Sequence, residues 1–162
     1  MEITIEWQKP VQLTRNGRPV VSWRDLGESL KDRAGVYFFS RKHGSKFAPF
    51  YIGKATSIRV RFKQHIASNV KLMEVVNGYG ENARKIGHGA RYFHVGYLRA
   101  TKGPSWGKLD IVEKAMLRDA LARDYPVLNL HFTKVKTHTI INVGSRASRS
   151  IFPTKETVEA RG

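Results

Sequence analysis

Cysteine is absent from this chain of 162 residues. Its absence excludes disulfides and thiolate zinc sites and fits a reducing cytoplasm. No run of about 18 apolar residues occurs, so no transmembrane helix is expected. The opening residues Met1-Glu2-Ile3-Thr4-Ile5-Glu6 are acidic and alternating, without the layout of a secretory signal. Acids are scarce: 13 Asp and Glu stand against 29 Lys and Arg, a formal net charge of +16. Such an excess repels itself in a compact state and is best balanced by a polyanion. Nucleic acid is the first candidate. An anionic membrane surface is the second, but no basic helix with a clean lipid-facing side is present. No zinc finger, helix-turn-helix or internal repeat is visible. The charge points to a nucleic-acid partner without deciding between an enzyme and a binder.

What is present reads as one α/β domain, since the length leaves little room for a second. Ile3, Ile5 and Trp7 alternate with polar residues and predict a strand. Asn16-Gly17, between Val11-Gln12-Leu13-Thr14 and Val20-Val21-Ser22-Trp23, predicts a hairpin. A short helix capped by Ser22 is expected from Trp23 to Lys31. Gly35 to Phe39 and Phe50 to Gly53 read as two core strands, separated by a polar loop. Ile58, Phe62 and Ile66 recur every four residues and predict an amphipathic helix over 57–68, capped by Thr56 or Ser57. The glycine-rich stretch 77–90 is expected as loop, with a short helix at 81–86. Arg91 to Leu98 predicts a third core strand. Leu109, Val112, Met116 and Ala120 predict a second long helix, ending near Tyr125-Pro126, with Val127 to Leu130 extended after it. Beyond Lys134 the chain is basic, and Ser145 to Ser150 is expected as part of a mobile arm.

Four features suggest chemistry. Tyr37 and Tyr51 stand on adjacent predicted strands, where alternation can bring both phenols to one face; either is equally at home as a sheet aromatic. Gly53-Lys54-Ala55-Thr56-Ser57 leads into a helix whose free N–H groups suit a phosphate oxygen. Arg61 and His65 lie four apart beside the helix's core stripe, and a guanidinium can fork onto two phosphate oxygens. Lys54, Arg59 and Lys63 make the region basic. Glu113 borders the apolar stripe of the second long helix, where a carboxylate is costly unless it is paired or holds a metal. An ion pair to Arg61 or Lys114 is the ordinary alternative.

Taken together, Gly35-Val36-Tyr37, Tyr51-Ile52-Gly53, Arg61, a helical Glu113, then Pro126 and Asn129, resemble the GIY-YIG nuclease family. The strongest part is the run from Tyr51 to His65. A histidine at position 65 is similar to homing and restriction members. The resemblance spans roughly residues 33–132. It implies a small three-stranded, mostly antiparallel sheet flanked by helices over 33–133. Residues 1–32 would then be an N-terminal hairpin extension and 134–162 a basic C-terminal arm. It also implies a cytoplasmic DNA endonuclease, of bacterial or phage type, acting as monomer or homodimer on DNA without a small-molecule cofactor. Its catalytic residues would be Tyr37, Tyr51, Arg61, His65 and Glu113. Glu113 would hold Mg²⁺ or Mn²⁺, and Tyr37 would take a proton from the attacking water. Gly53, Lys54, Arg59 and Lys63 would contact phosphate, while Gly35 and Asn129 would support the structure. A non-catalytic nucleic-acid binder with the same fold is the alternative.

Overall fold

Period-two alternation along the strands and a four-residue apolar repeat along the helices give each element one face to bury. The computed structural model describes residues 1–100, 105–129 and 138–158. In chain order these form β1 (Glu2–Trp7), β2 (Val11–Arg15), β3 (Arg18–Pro19), α1 (Trp23–Ser29), β4 (Gly35–His43) and β5 (Lys46–Ala55). Then follow α2 (Ile58–Ser68), α3 (Val70–Asn77), α4 (Gly80–Ile86), β6 (Ala90–Leu98), α5 (Ser105–Ala122), β7 (His138–Gly144), α6 (Arg146–Arg149) and β8 (Lys155–Val158). Ser22 caps α1 by accepting from Asp25 N–H, and Ser57 caps α2 by accepting from Val60 N–H. No helix among the described residues is long and apolar enough to cross a membrane.

The strands form one mixed sheet of eight, and β6 is its hub. On one side β6 pairs antiparallel with β4, from Gly35↔Tyr97 to Lys42↔Ala90. β4 pairs antiparallel with β5. On the other side β1 and β2 follow one another along β6, in register at Ile5↔Leu98 and Val11↔Phe93. β7 then runs parallel to β1, and β8 antiparallel to β7.

Side-chain alternation splits the core between the two faces. Val36, Phe38 and Ile52 point to one, where Leu109, Val112 and Met116 of α5 cover them. Tyr37, Phe39 and Tyr51 point to the other, which Leu26 of α1, Phe62 of α2 and Leu72 of α3 cover. A register shift between Phe39 and Ser40 puts Phe50 on the same face as Tyr51.

Three expectations are corrected. The predicted strands at 35, 50 and 91 do make an antiparallel trio, but it is part of an eight-stranded mixed sheet. The N-terminal residues are not an appended hairpin. Asn16 and Gly17, both at positive φ, do turn β2 into β3, yet β1 sits inside the sheet between β6 and β7. The described part of the expected C-terminal arm is built into the core. Ile140, Ile151 and Phe152 are buried in the α5 layer. Trp7 Nε1 donates to Asn142 Oδ1 at 2.7 Å. Ser148 Oγ lies 2.7 Å from Nδ1 of the buried His94. Local charge made this segment look solvated, and contacts far apart in sequence decided otherwise.

Candidate active site

Tyr37 lies on β4, Tyr51 on β5 and His65 on α2, and all three converge on the α2 face of the sheet. Tyr37 Oη and His65 Nε2 are 2.6 Å apart. The two phenol rings are stacked at 6.5 Å between centroids, and the Tyr51 ring is 5.1 Å from the imidazole. Tyr37 and His65 are buried, with 3% and 5% of their surface exposed. Tyr51, Arg61, Gln64, His65, Ser68 and Asn69 line a shallow, open depression of about 540 Å³. His65 and Tyr51 thus border an open surface, with Tyr37 buried behind the imidazole.

Arg61 is exposed at this depression. Its guanidinium makes no hydrogen bond or ion pair with another described residue. Its charge nevertheless bears on Tyr37, Tyr51 and His65. Burial pushes the Tyr37 phenol above its ordinary range; the neighbouring Tyr51 adds to the rise, Arg61 opposes it and Glu113 adds again. Tyr51 is raised as well, chiefly by burial, with the Asn69 side chain and Arg61 opposing and Glu113 adding. Burial holds the His65 imidazole down at about 4, and the Arg61 charge pushes the same way. Both phenols are thus protonated and the imidazole neutral near pH 7.

Glu113 projects from α5 and meets Lys54, whose Nζ is 2.5 Å from Glu113 Oε2 and 2.7 Å from Asp110 Oδ1. Asp110 also pairs with Lys114. Burial works against the Lys54 charge, but the hydrogen bonds to Asp110 and Glu113 outweigh it and raise its pKa. The Lys54 ammonium also sits over the Trp106 ring at 4.9 Å. So the ion pair that Glu113 needed on its apolar stripe is made with Lys54, not with Arg61 or Lys114.

The other predicted contacts divide. Arg59 and Lys63 point away from the tyrosines and tie α2 to α1. Arg59 Nε donates to Leu30 O at 2.6 Å, its Nη2 to Glu28 O at 3.2 Å, and Lys63 Nζ pairs with Glu28 at 2.5 Å. They sit beside α1 because i and i+4 from 59 to 63 define a different row from 61 to 65. Gly53 faces Tyr37 across the ladder and makes room for its ring. Gly35 is equally confined, since a Cβ there would run into the Gly96 carbonyl. Asn129 brackets the outer edge of β5: its Oδ1 accepts from Ile52 N–H at 3.1 Å and its Nδ2 donates to Ile52 O. Its neighbour Leu128 N–H donates to Phe50 O at 2.8 Å. An otherwise open strand edge is covered in this way.

No protein-family model, curated protein or solved structure matches this chain.

One residue of the site escaped the sequence reading. Asn69 joins α2 to α3, donates from Nδ2 to His65 Nδ1 at 3.0 Å, and accepts at Oδ1 from Leu72 N–H at 3.2 Å. The signal for it was present: an Asn four residues after His65, standing before the apolar run Val70 to Val76, is a helix N-cap in waiting. Asp110 also belongs to the site. It is one turn before Glu113, so both carboxylates reach the same ammonium.

Proposed function

We propose that this chain is a metal-dependent endonuclease of the GIY-YIG type that hydrolyses DNA phosphodiester bonds. The observation that carries this reading is the Tyr37–His65 contact, stacked beside Tyr51 under an exposed guanidinium that has no partner among the described residues. A structural arginine on a helix edge would be expected to hold a carboxylate or carbonyl, as Arg59 does. Arg61 is instead left to fork onto two oxygens of a phosphate and offset charge that grows in the transition state. The net charge of +16 supplies the long-range attraction for a polyanion.

Two carboxylates are the donors open to a hard divalent cation, since no group of three or more such ligands stands together among the described residues. Glu113 and Asp110 bring carboxylate oxygens within 2.7 Å of a single point, now held by the Lys54 ammonium. Mg²⁺ or Mn²⁺ is bound by one or two carboxylates, with water and phosphate completing its shell. Bound there, such an ion would polarise the phosphoryl oxygen and stabilise the leaving 3′ oxygen.

The residues of this chain do the rest. Arg61 binds and orients the scissile phosphate. Tyr51, half-buried at the same opening, positions the phosphate or the water. Tyr37 in its phenolate form receives the proton of the attacking water as the oxygen–phosphorus bond forms. Because burial keeps that phenol protonated, the phenolate needs the positive charge of Arg61 and a hydrogen bond from His65. A second reading, a DNA binder without activity, is favoured by one observation: Lys54 already neutralises Glu113. Incubation with plasmid DNA separates the two. The nuclease nicks or cuts with Mg²⁺ and stops with EDTA, and Glu113→Ala abolishes cutting while DNA binding persists. Binding without cutting at any divalent concentration would establish the second reading.

A further inference from the structure

We infer that Asn69 fixes the tautomer of His65, so that the imidazole donates its Nε2–H to Tyr37 and does not accept the phenol's proton. The tautomer is set at the N-cap of α3. Asn69 Oδ1 accepts from Leu72 N–H at 3.2 Å, which uses the oxygen of the amide. The nitrogen must then be the end that faces His65, with Nδ2 3.0 Å from Nδ1. Turning the amide over would set two N–H donors against each other at Leu72 and lose the cap. An amide N–H pointing at Nδ1 requires that nitrogen to be bare. A neutral imidazole with a bare Nδ1 carries its proton on Nε2. Nε2 is 2.6 Å from Tyr37 Oη, so the short contact is an N–H donated to the phenol oxygen.

Two consequences follow for the proposed chemistry, on whose nuclease reading they rest. Tyr37's own hydrogen is then not on the bond to His65. A relay of the Tyr37 proton into the imidazole is therefore closed. His65 is a positioning residue: it holds the phenol oxygen and supplies a donor that favours its phenolate. The same arrangement disfavours imidazolium, because a proton on Nδ1 would meet the Asn69 N–H. Among the described residues, the charged and titratable groups around the imidazole are Tyr37 from β4, Tyr51 from β5 and Arg61 from α2. None is a carboxylate that could hold a proton on Nδ1.

The test uses the full chain labelled with ¹⁵N and long-range ¹H–¹⁵N correlation of the imidazole nitrogens. The parent should show His65 protonated at Nε2 and bare at Nδ1. Asn69→Asp keeps a capping oxygen for Leu72 and replaces the donor by an acceptor, so the proton should move to Nδ1 and His65 should titrate at higher pH. Asn69→Ser keeps a cap and offers no amide donor, and should give a mixture of tautomers. Cleavage by Asn69→Asp should fall at least tenfold in kcat, with DNA affinity within twofold of the parent. A parent with its proton on Nδ1, or an Asn69→Asp variant with the parent tautomer, overturns the inference. A parent with the Nε2–H tautomer and no cleavage under any condition supports the tautomer and sinks the nuclease reading.

Discussion

Tyr37 stands directly across the β4–β5 ladder from Gly53, and its phenol oxygen occupies space that a side chain at 53 would need. A Cβ on Gly53 would come within 2.5 Å of both Tyr37 Oη and Cζ. The ring is rigid and buried, so relief requires Tyr37 to move. Any such movement pulls Oη off His65. Gly53→Ala should therefore cut cleavage at least tenfold, with a stability loss of about 1–3 kcal/mol from overpacking. Single-turnover cleavage and urea unfolding measure the two effects. Unchanged cleavage would show that the Tyr37 position is not critical.

Arg61 and Arg59 are two residues apart and differ in every contact. Arg61→Lys keeps the charge and loses the planar fork. Losing a preorganised contact to the transition state costs about 3 kcal/mol, roughly a hundredfold in rate. DNA affinity should barely change. Arg59→Lys should leave the rate unaltered and lower stability by about 1 kcal/mol, since Arg59 anchors the end of α1 through two carbonyls. Equal cleavage by both variants and the parent would remove Arg61 from the site.

The state of Tyr37 sets the pH dependence. Its pKa lies above the ordinary phenol value, so the phenolate is a small fraction that grows as pH rises. Cleavage should increase about tenfold per pH unit between roughly pH 6 and pH 9 while chemistry limits the rate. His65, at about 4, stays neutral throughout and contributes no second limb. The expected profile is a single rising line, lost in Tyr37→Phe. A bell centred near pH 6.5 would mean that an imidazole is the titrating base.

A second pH effect lies away from the site. Glu156 on β8 is pushed up to about 8 by burial, with Asp119 of α5 adding through a hydrogen bond and its charge, against Arg118 and Arg123. A folded-state pKa above the unfolded value of 4.5 means that the folded chain binds the proton more tightly. That contribution to stability is complete below about 4.5 and is lost as pH rises through about 8. The melting temperature should thus fall from pH 5 to pH 9, and Glu156→Gln should reduce the fall. An identical fall in both proteins would exclude this pair as its source.

Much of the site was legible because it follows from periods within single elements. Alternation brought Tyr37 and Tyr51 to one face, and the four-residue period aligned Arg61 with His65 beside the core stripe. Ser22 and Ser57 marked the helix starts through capping chemistry that acts over three residues. The glycine-rich region 77–90 was harder. The short helix α4 does lie there, but α3 just before it was not expected, although Asn69 and the apolar run Val70 to Val76 mark its start.

What the sequence by itself determined is the composition of each face: which side chains share a strand side or a helix row, and how much positive charge the fold must carry. Only the tertiary structure decided what each face meets. Arg59 and Arg61 are indistinguishable as letters, yet one meets the carbonyls of α1 and the other the open side of the tyrosines. Lys54 reads as a phosphate ligand until α5, more than fifty residues later, brings Asp110 and Glu113 against it. The basic C-terminal segment reads as an arm until Asn142 meets Trp7 across 135 residues of chain. The physical reason is that backbone geometry repeats over a few residues, whereas the partner that neutralises a charge or buries a ring is chosen by contacts between elements.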